Sequence, residues 1–155
     1  MIQRIQSVFL LLLALAMLSV VFLPIWSKTD PLTGNEVVLT ATQLAFTKGQ
    51  GPTTSTWPIA ALAVAAAALA VFEIFQFRNR LRQQQIGTFN LLLIMSTIGA
   101  GFYYSGIGER LLNIKVPGTF EAGFYLPTLA LLLNVLANRF IRRDEKLVRS
   151  MDRLR

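Results

Sequence analysis

Apolar positions in this chain do not alternate with polar ones; they run on, with few polar interruptions, through four stretches. These are Val8 to Trp26, Trp57 to Phe77, Gly87 to Gly106 and Gly123 to Ile141. At about 1.5 Å of rise per residue, each predicts a helix of roughly 30 Å, the thickness of a bilayer's hydrocarbon core. A segment surrounded by lipid has to satisfy its own backbone hydrogen bonds, which is why helices are expected rather than open strands. The first stretch follows Arg4 in the manner of a secretory leader. Its Ala14-Leu15-Ala16 pattern falls too early, however, because the apolar run continues through Leu18, Val20, Val21, Phe22 and Leu23. A retained helix is the expectation.

The connecting segments read differently. Asp30-Pro31-Leu32-Thr33-Gly34-Asn35 is rich in turn formers, and Glu36 to Thr42 after it is β-branched. Together with Trp26 to Thr29 this predicts a β-hairpin. Leu112 to Val116 is the expected third strand, since a lone hairpin is marginal in water. Gly49 to Thr56 reads as a flexible link. The predicted fold is an all-α membrane protein forming one domain over 1–155. It is a four-transmembrane-helix bundle with a small extracytoplasmic β-sheet of two or three strands, outer loops 27–56 and 107–122, and a cytoplasmic tail 142–155.

Charge sets the orientation. Arg4, Arg78, Arg80, Arg82, Arg139, Arg142, Arg143, Lys146, Arg149, Arg153 and Arg155 fall on one side of the four spans. Lys28, Lys48, Arg110 and Lys115 fall on the other, among Asp30, Glu36, Glu109 and Glu121. The positive-inside rule places the arginine-rich side, with both termini, in the cytoplasm. Arg78, Arg80, Arg82, Arg139, Arg142 and Arg143 are then candidate contacts for lipid headgroups.

Composition agrees. Of the 155 residues 54% are hydrophobic and 15% charged, against about 25% charged in soluble domains. The net charge of +7 is accounted for by topology, and no RNA- or DNA-reading pattern accompanies it, so no nucleic-acid partner is expected. The chain has no Cys and no His. It therefore lacks the usual ligands for zinc, copper or haem and the commonest general base, and no cofactor, metal site or enzymatic activity is expected.

A few residues stand out within the spans. Glu73 is the acidic one, which makes it a functional candidate by default. It lies near the cytoplasmic end, where an ion pair with Arg78, Arg80 or an arginine of a neighbouring helix is the structural alternative. Asn90, Ser96, Thr97, Asn134 and Asn138 are polar, and Asn134 and Asn138 share a face one turn apart. They predict interhelical hydrogen bonds or, alternatively, a polar pocket. The alanine run Ala60 to Ala70, with Gly99 and Gly101, suits close helix packing. Trp26, Trp57, Tyr103, Tyr104 and Tyr125 fall at the outer ends of spans, as an aromatic belt does. Leu147, Val148, Met151 and Leu154 form a stripe along the tail, with Glu145 and Arg149 placed for a pair. That tail either extends the fourth span, lies on the inner leaflet or docks a partner.

Two stretches carry a resemblance. Met1-Ile2-Gln3-Arg4-Ile5-Gln6-Ser7 leads into a Leu-rich helix ending Leu23-Pro24-Ile25-Trp26, and the chain closes on Asp144-Glu145-Lys146-Leu147-Val148-Arg149-Ser150-Met151-Asp152-Arg153-Leu154-Arg155. Together they resemble a family of small bacterial four-pass inner-membrane proteins catalogued as a domain of unknown function. The resemblance implies a bacterial inner membrane and carries no activity. The layout also looks like that of the claudin-type four-pass proteins, without the Cys pair of their first loop. The expected role is non-enzymatic, through protein–protein or protein–lipid contacts, as a homo-oligomer or as an accessory subunit of a larger membrane complex. The alternative is binding or transport of a lipid, quinone or small solute within the bundle, with Glu73, Asn90, Asn134 and Asn138 as its polar site.

Overall fold

A computed structural model describes the backbone of residues 2–76, 79–112 and 116–152, and their side chains except at 2–4, 80 and 144–152. The chain is mostly helical. It runs α1 (Ile2–Val20), β1 (Trp26–Thr29), β2 (Glu36–Leu39), β3 (Gln43–Lys48), β4 (Thr54–Ser55), α2 (Trp57–Phe75), α3 (Arg80–Glu109), β5 (Thr119–Phe120) and α4 (Ala122–Asp152).

Each helix contributes one inward stripe at spacings of three and four residues, the geometry of a helix face. Leu10, Leu13, Met17 and Val20 line the inside of α1; Ile59, Ala63, Ala66, Ala70 and Glu73 that of α2. Gln83, Asn90, Ile94 and Thr97 do so on α3, and Ala130, Asn134, Ala137 and Ile141 on α4. α1 packs on α2 and α4, and α3 on α2 and α4, so the four close into a ring. Ala63, Ala66, Ala67 and Ala70 of α2 thus serve internal packing, while Ala61, Ala65 and Ala68 face outward. Gly101 faces Phe124, whereas Gly99 faces open space and contributes nothing to packing within the chain.

The outward faces are as apolar as the inward ones, with Leu11, Leu12, Leu15, Val71, Phe72, Leu92, Met95, Leu129 and Leu132 exposed. Water does not reward such a surface; lipid does. Among the described residues three helices, Trp57–Phe75, Leu81–Glu109 and Ala122–Arg143, are long and apolar enough to cross a membrane, and the apolar part of α1, Ile5–Val20, is shorter.

The first apolar run does not stay helical to Trp26. Pro24 pushes Leu23 out of the α region, and α1 gives way to a turn after Val20. Ile25 then donates to the Leu39 carbonyl at 2.8 Å and starts the sheet. The third helix extends past the expected span at both ends, and the tail continues α4 to Asp152 without a break. The side chains of its stripe lie outside those described, as does Leu154.

The sheet is larger than expected: five antiparallel strands in the order β4-β3-β2-β1-β5. The β1–β2 hairpin forms around the predicted turn. Asp30 accepts from the Leu32 amide and the Thr33 hydroxyl, and Gly34 adopts φ +69°. The second outer loop contributes the strand Thr119–Phe120; of the expected strand 112–116, residues 113–115 lie outside the described residues. Part of the supposed flexible link also pairs, Thr54 with Leu44 and Ser55 with Gln43.

Trp26 corrects a second expectation. It is 1% exposed and belongs to the core, not to a lipid-facing belt. The lack of side chains at Gly108 and Gly118 makes room for its indole. Trp57, Tyr103 and Tyr125 are exposed as expected, and Tyr104 packs partly against the core.

The sheet covers one end of the helices. The opposite end gathers the start of α1, the α2–α3 junction and the later half of α4, with Phe9 stacked on Phe140 at 5.6 Å.

Candidate functional site

At that opposite end, helix ends leave backbone groups that need partners. The Glu73 carbonyl near the end of α2 accepts from the Gln76 amide at 3.1 Å and from Gln83 Nε2 at 3.3 Å. Asn79 caps α3 by accepting from the Arg82 amide at 3.2 Å.

The Glu73 side chain is fully buried, and neither carboxylate oxygen has a hydrogen-bond partner among the described residues. The expected ion pair with Arg78 or Arg80 falls outside the described side chains. What stands beside the carboxylate is Gly87 of α3. A Cβ there would lie 2.9 Å from Glu73 Oε1 and would also strike the Asn138 amide of α4. Gly87 thus lets α2, α3 and α4 bring an acid and an amide together.

A directed chain of bonds leads to this point. Asn134 Nδ2 donates to the Gly87 carbonyl at 3.1 Å, and Asn138 Nδ2 donates to Asn134 Oδ1 at 2.7 Å. A carbonyl only accepts, so Asn134 has to present its amino group to Gly87 and its oxygen to Asn138. Asn138 then spends one of its two amide N–H donors on Asn134. Its Oδ1 is left without a partner among the described residues, on the side of Gly87 that Glu73 occupies. Ionised, Glu73 and Asn138 Oδ1 are both acceptors; protonated, Glu73 carries the O–H donor that such a pair needs.

Of the four polar candidates, the structure therefore gathers Glu73, Asn134 and Asn138. Asn90 lies one turn further along α3, buried, with neither amide atom partnered among the described residues. Thr97 bonds back to the Leu93 carbonyl of its own helix, and Ser96 is exposed. Gln6, Gln83 and Gly87 belong to this end as well, and residue type alone does not mark them. Gln6 precedes Leu10, Leu13 and Met17 on the inward stripe of α1, and that spacing is the signal the sequence offers.

On its outer side Asn138 lines a half-open groove of about 630 Å³ between α3 and α4, together with Thr88, Leu91, Val135, Arg139, Arg142 and Arg143. Such a volume suits a small molecule or a lipid headgroup. Three of the six arginines expected to meet headgroups thus converge here. Arg82 is exposed in the first turn of α3, apart from the groove lining; the Arg80 side chain is not among those described, and Arg78 lies outside the described residues. The guanidinium groups can take a phosphate through paired hydrogen bonds, while Leu91 and Val135 supply an apolar wall.

The other end of the molecule holds a second buried charge. Lys28 Nζ lies 2.5 Å from Glu109 Oε2 and donates to the Glu109 carbonyl at 3.0 Å, while Glu109 Oε1 accepts from the Gly118 amide at 2.7 Å. Ser27 donates to Glu121 at 2.7 Å. These bonds tie β1 to the end of α3 and to the second loop; their groups are occupied with one another.

Fold and site together define a helical protein with membrane-compatible spans, an antiparallel cap at one end and a basic groove backed by unpaired polar groups at the other. The chain belongs to the family described as Domain of unknown function (DUF4293), whose model matches residues 2–154. No curated protein matches it.

Proposed function

We propose that this is a non-enzymatic, four-span protein of a bacterial inner membrane that holds a phosphate-bearing amphiphile of the bilayer in the α3–α4 groove. The α2–α3 junction and both termini face the cytoplasm, and the sheet faces outward. The observation that carries the reading is the convergence of Arg139, Arg142 and Arg143 on a groove walled by Leu91 and Val135. A phospholipid presents that pairing, an anionic phosphate joined to hydrocarbon. Basic pockets between helices on the cytoplasmic side are a known setting for lipid headgroups.

Several features support the four-span topology. α1 has 19 residues, roughly 28 Å of helix, and its outward side chains Val8, Leu11, Leu12, Leu15 and Leu18 are exposed and apolar. Trp57, Tyr103 and Tyr125 are exposed toward the sheet end, where interfacial aromatics anchor a span. The arginines cluster at the other end. Contacts with lipid are one form of the contact role expected from sequence. The claudin-like layout, four spans with an extracytoplasmic sheet, enters at the same level, as analogy of architecture.

The test is native mass spectrometry of the full chain released from membranes in mild detergent. Wild type is expected to retain phospholipid, and the triple variant Arg139→Gln, Arg142→Gln, Arg143→Gln to lose at least about tenfold of it, as removal of charge-assisted bonds implies. Equal lipid retention by the two proteins would remove the basis for this role.

A further inference from the structure

The groove between α3 and α4 carries more positive charge than one phosphate diester answers. Arg139, Arg142 and Arg143 line it and are exposed, and among the described residues no carboxylate shares that lining. The ion pairs among the described residues, Lys28–Glu109 and Lys48–Glu36, involve strand residues and leave these guanidinium groups without a counter-charge. On the facing helix, Thr88 gives its hydroxyl proton to the Gln84 carbonyl at 2.9 Å. Charge-assisted bonds to an anion in the groove therefore come from the arginines.

Helical geometry spreads that charge over two positions. Successive residues of an α-helix are turned about 100° from one another, whereas residues three or four apart share a face. On α4, Arg139 thus neighbours Arg142 on one side and Arg143 on the other, while Arg142 and Arg143 diverge. Like charges at those spacings repel, and an anion seated between the members of each pair relieves the repulsion. One phosphate on Arg139 and Arg142 leaves Arg143 unanswered. The groove volume of about 630 Å³ falls in the range that takes drug-sized ligands rather than a lone anion. We propose that the groove prefers a phospholipid with two phosphates, one held by Arg139 and Arg142 and the other by Arg139 and Arg143. This rests on the phospholipid reading of the groove and narrows it by headgroup charge. A zwitterionic headgroup would set its ammonium beside three guanidinium groups. No described acid on the groove wall receives it, since Glu73 is fully buried and lies outside the lining.

Lipids of equal acyl content separate the number of phosphates from the number of chains. The full chain, stripped of lipid in detergent, is offered equal amounts of phosphatidylethanolamine, phosphatidylglycerol, phosphatidate and dilysocardiolipin, each with two identical acyl chains. Bound lipid is then read by native mass spectrometry. Dilysocardiolipin, with two phosphates, is expected to exceed phosphatidylglycerol, with one, by about tenfold, the worth of an added hydrogen bond between charged groups. Phosphatidate concentrates its charge on a single phosphate and is expected to fall short of dilysocardiolipin, and phosphatidylethanolamine to be retained least. Arg142→Gln and Arg143→Gln change exposed side chains of α4, and each is expected to erase the margin of dilysocardiolipin over phosphatidylglycerol. A margin intact in either variant would overturn the two-phosphate assignment and leave the groove reading standing. So would phosphatidylglycerol or phosphatidate equal to dilysocardiolipin in wild type, or phosphatidylethanolamine retained best. If wild type retains none of the four, or the arginine triple variant retains them as well as wild type does, the groove reading falls and this assignment falls with it.

Discussion

The two ends of the bundle each bury a charged side chain, and they treat it in opposite ways. Under the sheet, the Lys28 side chain is 0% exposed, and its ammonium meets the carboxylate and the carbonyl of Glu109, which in turn accepts from Gly118. At the α2–α3 junction, Glu73 is equally enclosed and meets no donor among the described residues. The first is a clasp holding strand to helix; the second is an enclosed acid set beside an amide of α4, with no bond between them among the described residues.

Breaking the clasp is expected to have the largest effect. Glu109→Leu strands the enclosed Lys28 ammonium and is expected to cost about 3 kcal/mol, read as a drop in unfolding midpoint in detergent. Lys28→Met should cost less, because the Glu109 side chain left behind is 37% exposed and can turn to water. If the order is reversed, the ammonium is not as enclosed as the structure has it. Gly108→Ala attacks the same end by volume: its Cβ would fall 2.5 Å from the Trp26 ring, and overpacking of this kind costs about 1–3 kcal/mol.

The junction end should answer with the opposite sign. Glu73→Gln replaces an unpaired acid by an amide that can donate to Asn138. In lipid-free detergent, stability is expected to hold or to rise by about 1 kcal/mol, the net worth of a neutral hydrogen bond. A loss as large as that of Glu109→Leu would make Glu73 a second clasp and end the contrast between the two sites. Asn134→Leu removes one interhelical bond and is expected to cost about 0.6 kcal/mol. Smallest of all is Lys48→Ala in the exposed pair with Glu36 at 3.7 Å, with an expected change under about 0.5 kcal/mol.

Much of this architecture is legible in the order of residues. The apolar runs locate α2, α3 and α4, and the turn Asp30 to Asn35 with its β-branched neighbours locates the first hairpin. Glu73, Asn134, Asn138 and the three groove arginines stand out by residue type alone. Two of the misreadings, Trp26 and the last strand, share one cause: the deciding partner lies far away in sequence. Trp26 looks like a belt residue until Gly108 and Gly118 are seen to make room for it. Thr119–Phe120 has no strand signal of its own and pairs only because Trp26 and Ser27 lie alongside. Gly87 carries no chemistry to be noticed; its role is the side chain it lacks.

Local pattern by itself determined the helices, their apolar faces and the polarity of charge along the chain, because those follow from the period of a helix and the cost of placing charge in hydrocarbon. Tertiary structure alone decided which polar groups meet. That depends on how each helix is rotated about its axis and where along its length it touches the next, which packing sets and no single segment encodes. The chain of amides from Gly87 to Asn138, and the unanswered carboxylate at its end, exist at that level only.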